Sequence, residues 1–324
     1  MERMARIERT GGPEVIGWSD VALAPPGPGE VRMRNTAVGL NFIDTYHRSG
    51  LYPVPLPSGL GGEAAGVVEA VGEGVTDFAA GDRVATFGPG LGAYATARNV
   101  PATILFALPA GSAAATAAAA LLKGGTVEFL VERCARVEPG WTVLVHAAAG
   151  GVGQIAVRWL KAIGATVIAT VGHGDKVALA RGAGADHVLL AREDDIAARV
   201  REITGGAGVE VVLDGVGKAT WEASLASARR RGLVVSFGNA SGPVEGVALG
   251  ALARAGSLYV TRPTMFDYYV TPEERAAGSA RLFQMLRSGA VRVDVNQRFA
   301  LEDAAEAHRA LEAGQTTGST LLLP

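Results

Sequence analysis

The chain has 324 residues, of which 48% are hydrophobic and 19% charged, and Lys+Arg 30 against Asp+Glu 32 leaves a formal net charge of -2. That is enough apolar material for two folded domains, and a balance without long single-sign blocks gives no basic footprint for nucleic acid. One cysteine and five histidines, none in Cys-x-x-Cys or His-x-x-x-His spacing, leave no disulfide framework and no structural zinc site.

The first residues, "MERMARIERTGG", lack the apolar core of a secretory signal. Gly and Pro then punctuate the first third of the chain, and short β-rich runs such as residues 30–34 and 64–71 lie between them, with "GDRV" as a turn entering a strand. This is the pattern of an irregular all-β domain. Within it, "NFIDTYHRSGLY" reads as a polar loop. "ALPAGSAAATAAAALLKGG" is the most apolar early stretch, but it is alanine-rich and reads as too short for a bilayer. The expectation is a soluble cytoplasmic protein without membrane contact.

From residue 112 helix and strand alternate. Residues 112–122 form a predicted helix with Ser112 as N-cap, 141–146 a strand, and 152–163 a helix whose Val152, Ile155, Ala156, Trp159 and Ile163 share one face. The series continues with a strand at 166–171, a helix at 176–181, the strand "HVLL", a helix at 194–203, the strand "GVEVVLDGVG", a helix at 220–229 and the strand "GLVVSFGN". Such βαβ spacing predicts a doubly wound parallel sheet. The tail adds helices at 272–287 and 301–311, a strand near Arg292 and a final strand "STLLLP". The two domains are expected to share a tight interface with a cleft.

Between the strand at 141–146 and the helix at 152–163, Ala148, Gly150 and Gly153 make a G-x-G-x-x-G pattern with alanine in first place. Gly150 permits close approach of a pyrophosphate, and Gly153 permits close helix–strand packing. The turn amides of Gly150, Gly151, Val152 and Gly153 supply donors to phosphate. An NAD-binding fold ends its second strand in an acid about 20 residues further on. Here that position is Gly172, followed by "HGDK", with Lys176 and then Arg192 available to a 2′-phosphate and Asp175 as the one nearby acid. The pattern therefore favours NADPH.

Longer stretches are more specific: "NFIDTYHRSGLYP", "LPSGLGGEAAGVVEAVGEGV", "LGAYA", "LKGGTVEFL", "VLVHAAAGGVGQIA", "RRGLVVSFGNASG", "GSLYVTRP" and "GSTLLLP". With these the chain resembles the zinc-independent quinone oxidoreductases of the medium-chain dehydrogenase/reductase superfamily, the group that includes zeta-crystallin. The resemblance implies an α/β fold in two parts. A GroES-like β-rich catalytic domain would be built from residues 1–123 and 263–324, and a Rossmann domain binding NADPH from residues 124–262. It also implies a homodimer joined through the strand at 256–262. Zinc-dependent relatives carry a cysteine in the segment "GLNFIDTY", a histidine where Gly61-Gly62-Glu63 stands, and four clustered cysteines, and this chain has none of them. No metal is expected, and without a Lewis acid the natural chemistry is hydride transfer to an activated electrophile.

The resemblance places Asn41 and Tyr46 beside the nicotinamide, Lys123 and Thr126 beneath the cofactor, Phe237, Gly238 and Asn239 in a loop after a late strand, and Arg262 near the cleft. Relatives often carry a tyrosine where Ala191 stands and a basic residue where Gly314 stands, which thins the expected 2′-phosphate site. A quinone or similar conjugated carbonyl gaining hydride develops negative charge on oxygen, so the site needs donors; Asn41, Tyr46 and Tyr52 are the candidates. Tyr52 also resembles the proton donor of enoyl-thioester reductases, so reduction of an enone or alkenal is the alternative. A non-catalytic, crystallin-like role in binding NADPH or RNA is the second. Asp44 reads as a buried anchor, His146 as a satisfied structural histidine, and Glu63 as a structural partner.

Overall fold

The computed structural model describes residues 1–88 and 90–324. Along the chain it forms β1 (Glu2–Ile7), β2 (Gly17–Val21), β3 (Glu30–Leu40), α1 (Phe42–Ser49), β4 (Ser58–Gly59), β5 (Glu63–Val71), β6 (Arg83–Thr86), β7 (Ala97–Pro101), β8 (Leu105–Ala107) and α2 (Ala114–Glu128). It continues with β9 (Thr142–Val145), α3 (Gly151–Ile163), β10 (Thr166–Val171), α4 (Val177–Gly182), β11 (His187–Leu190), α5 (Ile196–Ile203), β12 (Val209–Asp214), α6 (Trp221–Ser227) and β13 (Ala228–Ser236). Last come α7 (Leu249–Arg254), β14 (Tyr259–Thr261), α8 (Pro272–Arg287), β15 (Val295–Ala300), α9 (Ala304–Glu312) and β16 (Ser319–Leu323).

Two compact units result, one of Met1–Leu122 with Val293–Pro324 and one of Lys123–Arg292. Residues 263–292 therefore lie with the second unit, whereas the expected partition put them with the first. Glycines explain the placement. A Cβ at Gly124 on α2 would stand 2.5 Å from Leu282 Cδ1 of α8, and one at Gly278 on α8 would stand 2.4 Å from Tyr269 Oη. Tyr269 in turn donates to Glu128 Oε2 at 2.8 Å. Gly124 of "LKGGTVEFL" and Gly278 thus let α8 seat on α2 with Tyr269 beside them.

In the first unit one sheet runs β15-β16-β3-β5-β6-β8 with β7 also on β3, and a smaller one runs β2-β1-β4. All these pairings are antiparallel except β15 with β16. Ile7, Met33, Leu40, Leu60 and Tyr94 fill the core between them. Three elements differ from expectation. "NFIDTYHRS" is mostly helix α1 rather than loop, α2 starts at Ala114 rather than after Ser112, and the strand expected near Arg292 is β15. With its π-helical continuation (Phe129–Cys134), α2 makes a 21-residue apolar helix. That is longer than the sequence suggested, and most of it is buried inside the protein.

The second unit is a six-stranded sheet in the order β11-β10-β9-β12-β13-β14, parallel throughout. This is the 3-2-1-4-5-6 order of the doubly wound dinucleotide fold. β10 is buried along five of its six residues, as a strand covered on both faces must be. α3 lays Ile155, Ala156, Trp159 and Leu160 inward and ends at Gly164 in the left-handed region (φ 93).

A glycine-rich cradle and an aromatic helix as the candidate site

In the second unit the strand registers bring the carboxyl ends of β9, β10, β11, β12, β13 and β14 to one edge: Val145 lies beside Ala169 and Leu213, Val171 beside Leu190, Asp214 beside Ser236, and Val235 beside Thr261. Gly150 to Gly153, Gly172, Lys176, Arg192, Phe237 to Asn239 and Arg262 all follow directly from those ends. The order reverses between β9 and β12, the switch point at which open α/β sheets hold their ligands.

The turn after β9 is built to expose amides. Ala147 takes a positive φ of 51, Ala148 N–H bonds Thr170 O at 2.9 Å and Gly150 N–H bonds Ala147 O at 3.0 Å. α3 then begins at Gly151 with no side-chain cap. A helix leaves its first amides without an intrahelical acceptor, so Gly151, Val152 and Gly153 present theirs with the positive end of the helix dipole. A Cβ at Gly153 would stand 2.4 Å from Ala147 O and 2.6 Å from Ala148 Cα, so only glycine lets the helix sit this close. These residues fit the pyrophosphate of a dinucleotide. At the end of β10 a Cβ on Gly172 would meet nothing within 4 Å, which leaves that corner open; half-buried Lys176 follows the end of β10 and exposed Arg192 the end of β11.

The loop after β13 is braced from two sides. Arg262 Nη1 donates to Ser236 O at 2.8 Å and Gly238 O at 3.2 Å. A Cβ on Gly238 would collide with Gly215 O at 2.2 Å. Asp214 holds the facing turn by accepting from Val216 N–H, Gly217 N–H, Thr220 Oγ1 and Ser224 Oγ. Arg262 therefore acts on the loop backbone. His146 lies between Thr170 Oγ1 (3.0 Å) and Ser224 Oγ (3.1 Å), and burial lowers its pKa. It is a neutral, hydrogen-bonded structural residue. Lys123 is buried on α2, and Thr126 follows it one turn later.

In the first unit Asn41 caps α1, and the helix ends on Gly50 in the left-handed region (φ 87). Asp44 Oδ2 accepts the Asn41 N–H at 2.9 Å. The Asn41 amide donates to Glu63 Oε2 at 2.8 Å and toward Gly39 O at 3.4 Å. Because a carboxylate only accepts, this fixes the amide's orientation and engages its N–H groups. Glu63 also accepts the Leu122 N–H at 2.7 Å, the structural role expected of it. Asn41 is thus committed within the protein. Tyr46 and Tyr52 meet edge-to-face with ring centroids 5.1 Å apart, His47 and Phe42 flank them at 6.1 and 6.3 Å, and Tyr52 N–H bonds Tyr46 O. Burial lowers the pKa of His47.

Three residues that the sequence reading passed over stand behind α1. Tyr94, His308 and Glu312 make the far side of its hydrogen bonds, and no local spacing announces them. Among the described residues no group of three or more His, Cys, Asp or Glu is gathered as a metal site.

Comparison with known proteins agrees with both halves. A profile described as an alcohol dehydrogenase GroES-like domain matches residues 27–110, and one described as a zinc-binding dehydrogenase matches residues 151–282. A quinone oxidoreductase of Pseudomonas aeruginosa is 52% identical over 325 residues, covering 100% of each chain. A 2-haloacrylate reductase of Burkholderia is 44% identical, covering 100% of this chain and 99% of its own. The crystal structure of Escherichia coli quinone oxidoreductase complexed with NADPH superimposes with a TM-score of 0.97 at 49% identity, covering 99% of this chain and 100% of that one.

Proposed function

Since the chain belongs to the zinc-independent quinone oxidoreductases of the medium-chain dehydrogenase/reductase superfamily, we propose that it is an NADPH-dependent quinone reductase. The observation that carries this reading is the uncapped start of α3 at the sheet's switch point, in a fold whose NADPH-complexed relative matches it over nearly its whole length. NADPH, when bound, supplies a hydride from C4 of its nicotinamide.

The chain's own residues do the rest. Gly151, Val152 and Gly153 bind the pyrophosphate through backbone amides, and Gly150 leaves room for it. Lys176, with Arg192, takes the 2′-phosphate at a strand end that carries Gly172 in place of an acid. Phe237, Gly238 and Asn239, held by Arg262, shape the wall toward the nicotinamide, with Lys123 and Thr126 beneath it. Tyr46 and Tyr52 donate to the quinone oxygen as negative charge builds there, and Asn41 works through Glu63 to hold the start of α1.

Tyr52 carries the second reading. The 2-haloacrylate reductase relative acts on an activated alkene by name, and such a reaction needs a proton at carbon. Steady-state NADPH oxidation with paired quinone and enone acceptors tests both. The proposal expects quinone reduction to be the larger activity and to be lowered but not abolished by Tyr52→Phe, because Tyr46 still donates; an enone activity that is the larger one and is abolished by Tyr52→Phe would replace it.

The assembly proposed is a homodimer. β14 is the last strand of its sheet, and Tyr259 and Val260 are exposed there at 64% and 37%; an open edge strand of this kind pairs with another chain. A cytoplasmic location and a small-molecule substrate, with neither nucleic acid nor membrane as partner, complete the proposal.

A further inference from the structure

α1 and the tail helix α9 face one another with two pairs of residues four apart, Asp44 and Arg48 on one and His308 and Glu312 on the other. Arg48 Nη1 and Nη2 clasp Glu312 at 2.9 and 2.7 Å. Arg48 Nη1 also lies 3.1 Å from His308 Nδ1, His308 Nε2 lies 2.9 Å from Tyr94 Oη, and Tyr94 O–H donates to Asp44 Oδ2 at 3.0 Å. Asp44, Tyr94 and His308 are wholly buried.

The direction of every hydrogen bond in this chain is determined. A guanidinium only donates, so His308 Nδ1 accepts and the ring carries its proton on Nε2. That proton points at Tyr94 Oη, which leaves the tyrosine hydrogen for Asp44. Neither middle group ionises near neutrality: burial and Arg48 push His308 down to about 3, and burial with Asp44 beside it pushes Tyr94 well above its ordinary value. The positive end at Arg48 and the acceptor end at Asp44 are therefore joined by two neutral, one-way links. Asp44 spends the same oxygen on the Asn41 N–H. The line makes room for itself as well: a Cβ on Gly61 (φ 82) would stand 2.3 Å from Tyr94 Cδ1.

We propose that Tyr94 and His308 are positioning residues for the reaction: through Asp44 they set the first turn of α1, and with it the placement of Asn41, Tyr46 and Tyr52. The inference rests on the quinone-reductase reading, in which those phenols meet the substrate. Tyr94 and His308, having no exposed surface, touch neither substrate nor cofactor. The segments joined lie far apart in sequence, so the tail of the chain tunes a site formed near its start.

The test uses full-length protein and three variants. Tyr94→Phe keeps the ring and removes only the link; it is expected to lower kcat for quinone reduction about tenfold, the scale of one lost buried hydrogen bond. The Kd for NADPH, read by fluorescence titration, should stay within about twofold, because the cradle is in the other unit. His308→Gln, which keeps an N–H near the Nε2 position, should recover most of the rate that His308→Ala loses. Unchanged kcat in Tyr94→Phe, a loss that appears equally in NADPH affinity, or a His308→Gln as slow as His308→Ala would each overturn the inference while leaving the quinone-reductase reading intact. A parent protein without NADPH-dependent quinone reduction would overturn both.

Discussion

Replacing Gly150 and Gly153 separately with alanine distinguishes cofactor approach from helix packing. At Gly150 the backbone is extended (φ -79) and an added Cβ meets only Ala147 O, at 3.3 Å. The folded protein accepts that methyl with little strain, so the melting temperature should barely move, while the methyl stands where the pyrophosphate must come. At Gly153 the Cβ falls 2.4 Å from Ala147 O and 2.6 Å from Ala148 Cα, both backbone. To restore an ordinary contact the start of α3 must retreat by about 1 Å, an overpacking that costs about 1–3 kcal/mol. The same shift stretches amide–phosphate bonds worth about 1.5–3 kcal/mol each, so NADPH affinity should fall by about tenfold to a hundredfold. Fluorescence titration with NADPH and thermal melts with and without it read both effects, since a ligand specific to the folded state must raise its stability. A Gly150→Ala protein that binds NADPH as tightly as its parent would refute the cradle; a Gly153→Ala protein with unchanged stability would refute the packing argument.

Acid should destabilise the protein in a way that traces to His308. It is neutral when folded, with a pKa near 3 set by burial beside Arg48 and among Tyr94, Asp44 and Glu312. The unfolded chain gains the proton near pH 6.5, so this contribution is complete above that pH and is lost as pH falls toward 3, by up to about 1.4 kcal/mol per pH unit. Urea unfolding from pH 7 to 4 should show His308→Gln with a shallower decline than the parent; parallel declines would contradict the assignment. Val260→Glu on β14 should halve the assembly, so that sedimentation equilibrium reports 33.2 kDa where the parent reports twice that mass; a parent that is already monomeric would remove the edge-strand dimer. Arg262→Leu removes donors to the carbonyls of Ser236 and Gly238 and should cost about 1–3 kcal/mol of stability together with NADPH affinity; a loss of affinity with no change in melting temperature would mean that the arginine contacts the cofactor rather than the loop.

The parallel sheet was legible because β10 and its neighbours are continuous apolar runs and α3 repeats its apolar residues at helical spacing, so each element declares itself locally. β10 and β11 fall on the residues read from the sequence. The glycine turn was legible for the same reason: its chemistry lies within one strand–turn–helix unit. α1 was not, because its pattern is inverted. Its buried residues are Asp44, Thr45, Tyr46 and Arg48, and the partners that make such polar burial tolerable come from Tyr94 and from His308 and Glu312 in the tail. The remaining local signal was Asn41 with Asp44 three residues on and Gly50 after the last turn, a cap at each end. The engagement of Asn41 with Glu63 was likewise hidden, since it depends on β3 and β5 being neighbours. The placement of residues 263–292 depends on helix packing through Gly124 and Gly278, which sequence spacing does not express.

The most direct test of the central claim is the ratio of kcat/KM for NADPH to that for NADH with a benzoquinone acceptor, measured for the parent and for Gly172→Asp combined with Lys176→Ala. Space for the new carboxylate exists, because a Cβ at position 172 meets nothing within 4 Å. The account predicts a parent that strongly prefers NADPH, by about tenfold or more for one phosphate-binding cation, and a double variant that prefers NADH while still reducing quinone. Equal use of both cofactors by the parent, or a preference that the double substitution leaves in place, would contradict it.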